Sequence, residues 1–100
     1  MKGTGRFYVY IMSNETNTVT YTGVTRDLAR RVQEHREKVV DGFSRKYKIR
    51  KLVYYEVADN WEAGITREKQ IKKGSRRSKV ALVNTMNVAW RDLYEQVCDW

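Results

Sequence analysis

One cysteine and one histidine are all that this 100-residue chain has of the two side chains from which structural zinc sites are built. Cys98 has no second cysteine to pair with, so an internal disulfide is excluded, and so is a Cys/His zinc cluster. Any metal ion bound here must be held by oxygen. The chain also lacks a run of about 18 apolar residues, which excludes a spanning helix, and its opening MKGTG carries no apolar signal core. A soluble, cytoplasmic protein is expected. No Pro/Gly/Ser-rich stretch divides the sequence, and its length suits one hydrophobic core, so residues 1–100 are expected to form a single domain.

What the chain has in excess is positive charge: 20 Lys and Arg against 12 Asp and Glu, a net charge of +8. The excess is concentrated. Residues 26–51 carry ten basic and four acidic side chains, residues 65–79 seven and one, and the remainder is net acidic. Two basic segments with an acidic remainder suit a phosphate-binding face better than a uniformly solvated surface, and make nucleic acid the expected partner rather than a membrane. Arg30, Arg45, Lys46, Lys72, Lys73, Arg76 and Arg77 are the candidate contacts.

RFYVYIM alternates Phe7, Val9 and Ile11 with Tyr8, Tyr10 and Met12, the period-two pattern of a strand. SNETN supplies a turn and TVTYTG a second strand, giving a hairpin. With the loop centred on Glu15 and Thr16, Tyr10 and Tyr21 face each other across the pair and share a face. TRDLARRVQEHREKVV, capped by Thr25 or Asp27, spaces Leu28, Val32, His35 and Val39 as a helix of about four turns. DGFSRKYKIRK reads as a loop and LVYYEVA as a third strand. DNWEAGITREKQIKK, capped by Asp59 or Asn60, puts Trp61, Gly64, Ile65, Glu68 and Ile71 on one face. Gly74 stops that helix, Ser75 caps another in SRRSKVALVNTM, and VAWRDLYEQV is a last amphipathic segment. The expected fold is α+β, in the order β-β-α-β-α-α, with a small antiparallel sheet.

Three features depart from ordinary packing. Glu68 places a carboxylate on the stripe that faces the protein, where it must be paired with a cation, protonated or bound to a metal. A carboxylate with open sites beside it suits Mg²⁺ or Mn²⁺, which retain water and phosphate oxygens as further ligands. Arg31 and His35, four residues apart, project from one helix face, and a planar guanidinium suits a phosphate that gains charge during reaction. A strand tyrosine is ordinarily a packing residue, but its phenol can also orient or deprotonate a water.

Taken in order, YVY on one strand, YTG on the next, LARRVQEH on the following helix and REKQIKK on a later one resemble the GIY-YIG nucleases. The likeness runs from about Phe7 to Leu93 and is strongest to the small stand-alone bacterial proteins related to the nuclease domain of the excision-repair C subunit. It implies a three-stranded antiparallel sheet flanked by helices and a metal-dependent endonuclease that hydrolyses DNA, structure- or damage-directed or weakly specific, with a setting in DNA repair near the nucleoid.

The resemblance also implies roles, residue by residue. Tyr10 and Tyr21 match the two motif tyrosines, one of which would orient or deprotonate the attacking water, and Gly23 completes the second motif where the backbone comes close to the site. Arg31 matches the catalytic arginine, and His35 would assist proton transfer or hold a phenol. Glu68 matches the ligand of a single Mg²⁺ or Mn²⁺ ion. Asn87, with Asn84 as the alternative, matches an asparagine that braces the site. Tyr8 stands where the first motif opens with glycine, Thr22 where the second has isoleucine, and NVAW lacks the proline that often follows the asparagine. RNA as a substrate, a protein partner or a homodimer stay open, as does a binding module of the same fold that cleaves poorly or not at all.

Overall fold

The computed structural model describes residues 6–37 and 42–100. Three strands, β1 (Phe7–Ser13), β2 (Thr20–Thr25) and β3 (Lys51–Ala58), form one antiparallel sheet in the order β2-β1-β3. The helices are α1 (Leu28–Arg36), α2 (Gly42–Tyr47), α3 (Trp61–Lys73), α4 (Arg76–Asn84) and α5 (Tyr94–Val97). This is the expected α+β architecture, with α2 and a short α5 where a loop and a longer segment were expected. Among the described residues no helix is long and apolar enough to cross a membrane.

The central strand is apolar at both parities because helices cover both of its faces. Tyr10 and Met12 pack with Leu28 and Val32 of α1, Ile49, Leu52 of β3, and Leu93 and Val97 at the C-terminal end. Val9 and Ile11 pack on the other face with Val53, Ile71 of α3 and Val83 of α4. The tyrosine at position 10 therefore belongs to the α1 side and the basic helices α3 and α4 to the opposite side.

The hairpin register differs from the expected one by two residues: Tyr10 pairs with Gly23 and Tyr21 with Met12. Asn14 sets the loop, its side-chain carbonyl accepting from the backbone N–H groups of Thr18 and Val19, with Asn17 in the left-handed region at φ 61°. A displacement of two preserves the side-chain face, so Tyr10 and Tyr21 become diagonal neighbours with ring centroids 6.4 Å apart.

Helix boundaries follow their caps. Asp27 caps α1 by accepting from the Arg30 N–H, Asn60 caps α3 through Ala63, and Ser75 caps α4 through Ser78. Helix α1 ends after nine residues rather than four turns, and Val39 lies outside the described residues. On α3, Gly64 and Ile71 are buried and Glu68 is half-buried. Trp61 leaves that stripe and is exposed, its ring meeting Phe7 with centroids 5.5 Å apart.

Candidate active site at the edge of the sheet

Strand β2 lies at the edge of the sheet, paired within it to β1 alone. Side chains from four elements converge along this edge. Tyr10 comes from the central strand, Tyr21 from β2, Arg31 and His35 from α1, and Glu68 from α3.

Gly23 permits the convergence. The Tyr10 ring crosses β2 at this glycine, where an added Cβ would lie 2.5 Å from the phenol oxygen. The glycine is needed for a close approach in mid-strand, not for a turn. Tyr10 is 1% exposed. Burial pushes its pKa well above the ordinary tyrosine value, the neighbouring Tyr21 and the Glu68 carboxylate push the same way, and Arg31 opposes them. The phenol is therefore held neutral.

Tyr10 Oη is hydrogen-bonded to His35 Nε2 at 3.3 Å, and the Arg31 guanidinium is near enough to oppose the rise in the phenol's pKa. On its other side, His35 Nδ1 is hydrogen-bonded to Ser44 Oγ at 2.7 Å. His35 is buried, and its ring lies edge-on to Tyr21 with centroids 4.8 Å apart. In this arrangement the imidazole holds Tyr10 in place. Arg31 is oriented by Glu34, with Nη1 to Oε1 at 3.0 Å.

Glu68 points from α3 toward the same edge. Its side chain is 16% exposed and pairs with Lys72 Nζ at 3.3 Å. Among the described residues no three His, Cys, Asp or Glu side chains cluster as metal ligands, so an ion here would have Glu68 as its carboxylate. That donor set fits Mg²⁺ or Mn²⁺, which bind through one or two carboxylates and take water and phosphate oxygens for the rest.

Two cavities flank the centre along β2. One, of about 320 Å³, is lined by Thr20, Tyr21, Thr22, Phe43, Lys72 and Lys79. The other, of about 270 Å³, lies toward Thr25 and includes Arg26, Arg30 and Arg31. Basic side chains thus stand on both sides of the tyrosine, arginine and glutamate.

A GIY-YIG catalytic domain model matches residues 6–81. The chain belongs to the GIY-YIG family. It is 38% identical over 77 residues to a UPF0213 protein of Syntrophus aciditrophicus, covering 76% of this chain and 87% of that one. It is 36% identical over 75 residues to a UPF0213 protein of Haloquadratum walsbyi, covering 75% and 83%. The solution structure of a UPF0213 protein from Bacillus halodurans aligns with a TM-score of 0.55 at 28% identity, covering 87% of this chain and 92% of that one. These relatives place the chain among the small stand-alone GIY-YIG proteins, with a nuclease-type fold.

Within this GIY-YIG fold the other candidate residues separate. Asn87 is buried, and its hydrogen bonds all go to backbone: its Nδ2 donates to the carbonyls of Val53 and Arg91, and its Oδ1 accepts from the Arg91 N–H. It ties the segment after α4 to β3, and none of these bonds goes to the five converging side chains, while Asn84 accepts from Trp90 Nε1 at 3.1 Å. Among the basic candidates, Arg30 pairs with Glu34, and Lys72 with Glu68. Arg76 is bound to the Asn17 carbonyl and lies over the Trp90 ring. Arg45 and Lys46 are on α2, and Lys73 and Arg77 are exposed on α3 and α4. Ser44 and Phe43 join the site although their local sequence carries no signal of it, and Lys79, at the end of the second basic segment, lines the cavity beside Tyr21. Ser44 sits in a stretch that reads as a basic loop, and its partner His35 is nine residues back.

Proposed function

We propose that this protein is a metal-dependent endonuclease that hydrolyses DNA phosphodiester bonds at the edge of β2. The observation that carries the reading is the convergence of Tyr10, Tyr21, Arg31, His35 and Glu68, from four separate elements, beside two cavities that include basic side chains. A structural ion pair would not need two phenols and a histidine beside it.

In this reading Tyr21 orients the attacking water, since it is half-buried whereas Tyr10 is fully buried and hydrogen-bonded to His35. Arg31, always charged and held by Glu34, faces the charge that builds on the phosphoryl group. The His35 and Ser44 pair keeps the Tyr10 ring, and through it Arg31, at fixed positions. Glu68 would hold one Mg²⁺ or Mn²⁺ ion, releasing Lys72 toward phosphate. Such an ion, when bound, supplies positive charge to the scissile phosphate and the leaving oxygen. A domain of this size has little room for reading a long sequence, so structure- or damage-directed or weakly specific cutting is the expected behaviour, with repair as its setting. A protein partner or a second copy of the chain would then supply targeting.

The Glu68–Lys72 pair favours one other reading, a nucleic-acid-binding module whose carboxylate is structural. Labelled single-stranded, duplex, nicked and branched DNAs, incubated with Mg²⁺ or Mn²⁺ and either the wild type or Glu68→Gln, separate the two. Cleavage that requires metal and disappears in the variant supports the nuclease. Equal binding by both proteins without cleavage supports the module.

A further inference from the structure

Helix α2 is inverted relative to an ordinary amphipathic helix. Its one buried residue is Ser44, while Phe43 is 45% exposed and Tyr47 is 39% exposed. Ser44 is drawn inward by His35, and that orientation turns the two aromatic rings out toward solvent. The rings form a ladder that begins at the candidate catalytic residue: Tyr21 to Phe43 is 6.2 Å and Phe43 to Tyr47 is 4.9 Å between centroids. Lys46 Nζ lies 5.4 Å from the centre of the Tyr47 ring, and Phe43 shares the cavity beside Tyr21 with Lys72 and Lys79.

Exposed aromatic faces interleaved with lysines are what an unpaired nucleotide strand requires: rings for the bases to stack on and cations for the backbone. In a continuous duplex the base faces are already stacked on one another and cannot reach such rings. We propose that Phe43 and Tyr47 form a stacking platform for unpaired bases next to Tyr21, so that the preferred ligand is DNA with single-stranded character at the position to be cut. The proposal takes its location of the scissile phosphate from the nuclease reading above. The stacking itself is independent of cleavage.

Fluorescence anisotropy in Mg²⁺, with Glu68→Gln to prevent cutting, reads the platform directly. The probes are a labelled oligothymidine of about 12 nucleotides and a labelled duplex of the same length. Adding Phe43→Ala is expected to weaken binding to the single strand by about 5- to 100-fold and to the duplex by less than about 2-fold. Tyr47→Ala, which leaves the ring on Tyr21 in place, is expected to act in the same direction, and Phe43→Trp to restore binding where Phe43→Leu does not. Equal losses for both probes, or no loss for either, would overturn the platform. The two readings fail separately. A wild type that cuts no DNA, while Phe43→Ala still weakens single-strand binding selectively, removes the nuclease and keeps the platform. A wild type that cuts duplex and single strand alike, with no effect of Phe43→Ala, does the reverse.

Discussion

Gly23 stands directly opposite Tyr10 across the β1–β2 ladder, and the Tyr10 phenol fills the space that a side chain at position 23 would occupy. Gly23→Ala would put a methyl carbon 2.5 Å from the phenol oxygen, forcing the ring off His35. The cost of such overpacking is about 1–3 kcal/mol. Urea denaturation should show that loss in the wild-type background and much less of it in a Tyr10→Leu background, where the clash is gone. An equal loss in both backgrounds would mean that the contact is not its source.

Alkaline stability should report the burial of Tyr10. Its native pKa lies above the unfolded value of about 10. Below about pH 10 both states keep the proton and the group contributes no pH dependence. Above that pH the unfolded chain releases it first, so stability falls until the native phenol itself ionises. Tyr54, pushed up to about 12 by burial and by its hydrogen bond to Glu56, acts in the same sense. The urea midpoint of Tyr10→Phe should therefore decline less steeply than that of the wild type between about pH 9.5 and about pH 11. Parallel curves would exclude the effect.

Glu68→Gln separates chemistry from stability. The carboxylate's bond to Lys72 joins residues four apart on one helix, with the lysine end exposed, and such pairs are worth about 0.3–0.5 kcal/mol. The substitution should leave the thermal midpoint nearly unchanged and lower metal-dependent cleavage by about 100-fold or more. A large drop in the midpoint would instead make Glu68 a structural residue.

Ser44→Ala removes a buried hydrogen bond from His35 and should cost about 1–3 kcal/mol. Because His35 holds Tyr10, the variant is also expected to lose cleavage rate with little change in DNA affinity. Ser44→Thr, which retains a hydroxyl, should recover part of the rate. Loss of affinity in step with the rate would count against a positioning role.

Salt dependence tests the electrostatic face. Lys73 and Arg77 are exposed on α3 and α4. If each contacts one phosphate, its replacement by Ala should reduce the slope of log affinity against log salt by about 1. Arg76, occupied by the Asn17 carbonyl and Trp90, should change that slope less and the stability more.

Runs of β-branched and aromatic residues place the three strands from the sequence alone, and the capping side chains narrow the helix starts to Thr25 or Asp27, Asp59 or Asn60, and Ser75, of which Asp27, Asn60 and Ser75 are the caps, because both are local effects of backbone geometry and capping. The family resemblance likewise rests on ordered local motifs. Tertiary structure decided what depends on contacts between distant segments. The two-residue displacement of the hairpin is the exception, a local effect of Asn14 binding backbone four and five residues on. Helix α2 formed in a stretch of basic, loop-like composition because Ser44 finds His35 and is buried against it. The upward shift of the Tyr10 pKa is likewise absent from the one-dimensional pattern, since it comes mainly from burial on the α1 face, with Tyr21 beside it. Periodicity and caps act through neighbours in the chain and can be read along it, whereas desolvation and long-range hydrogen bonds act through space and exist only once the elements have packed.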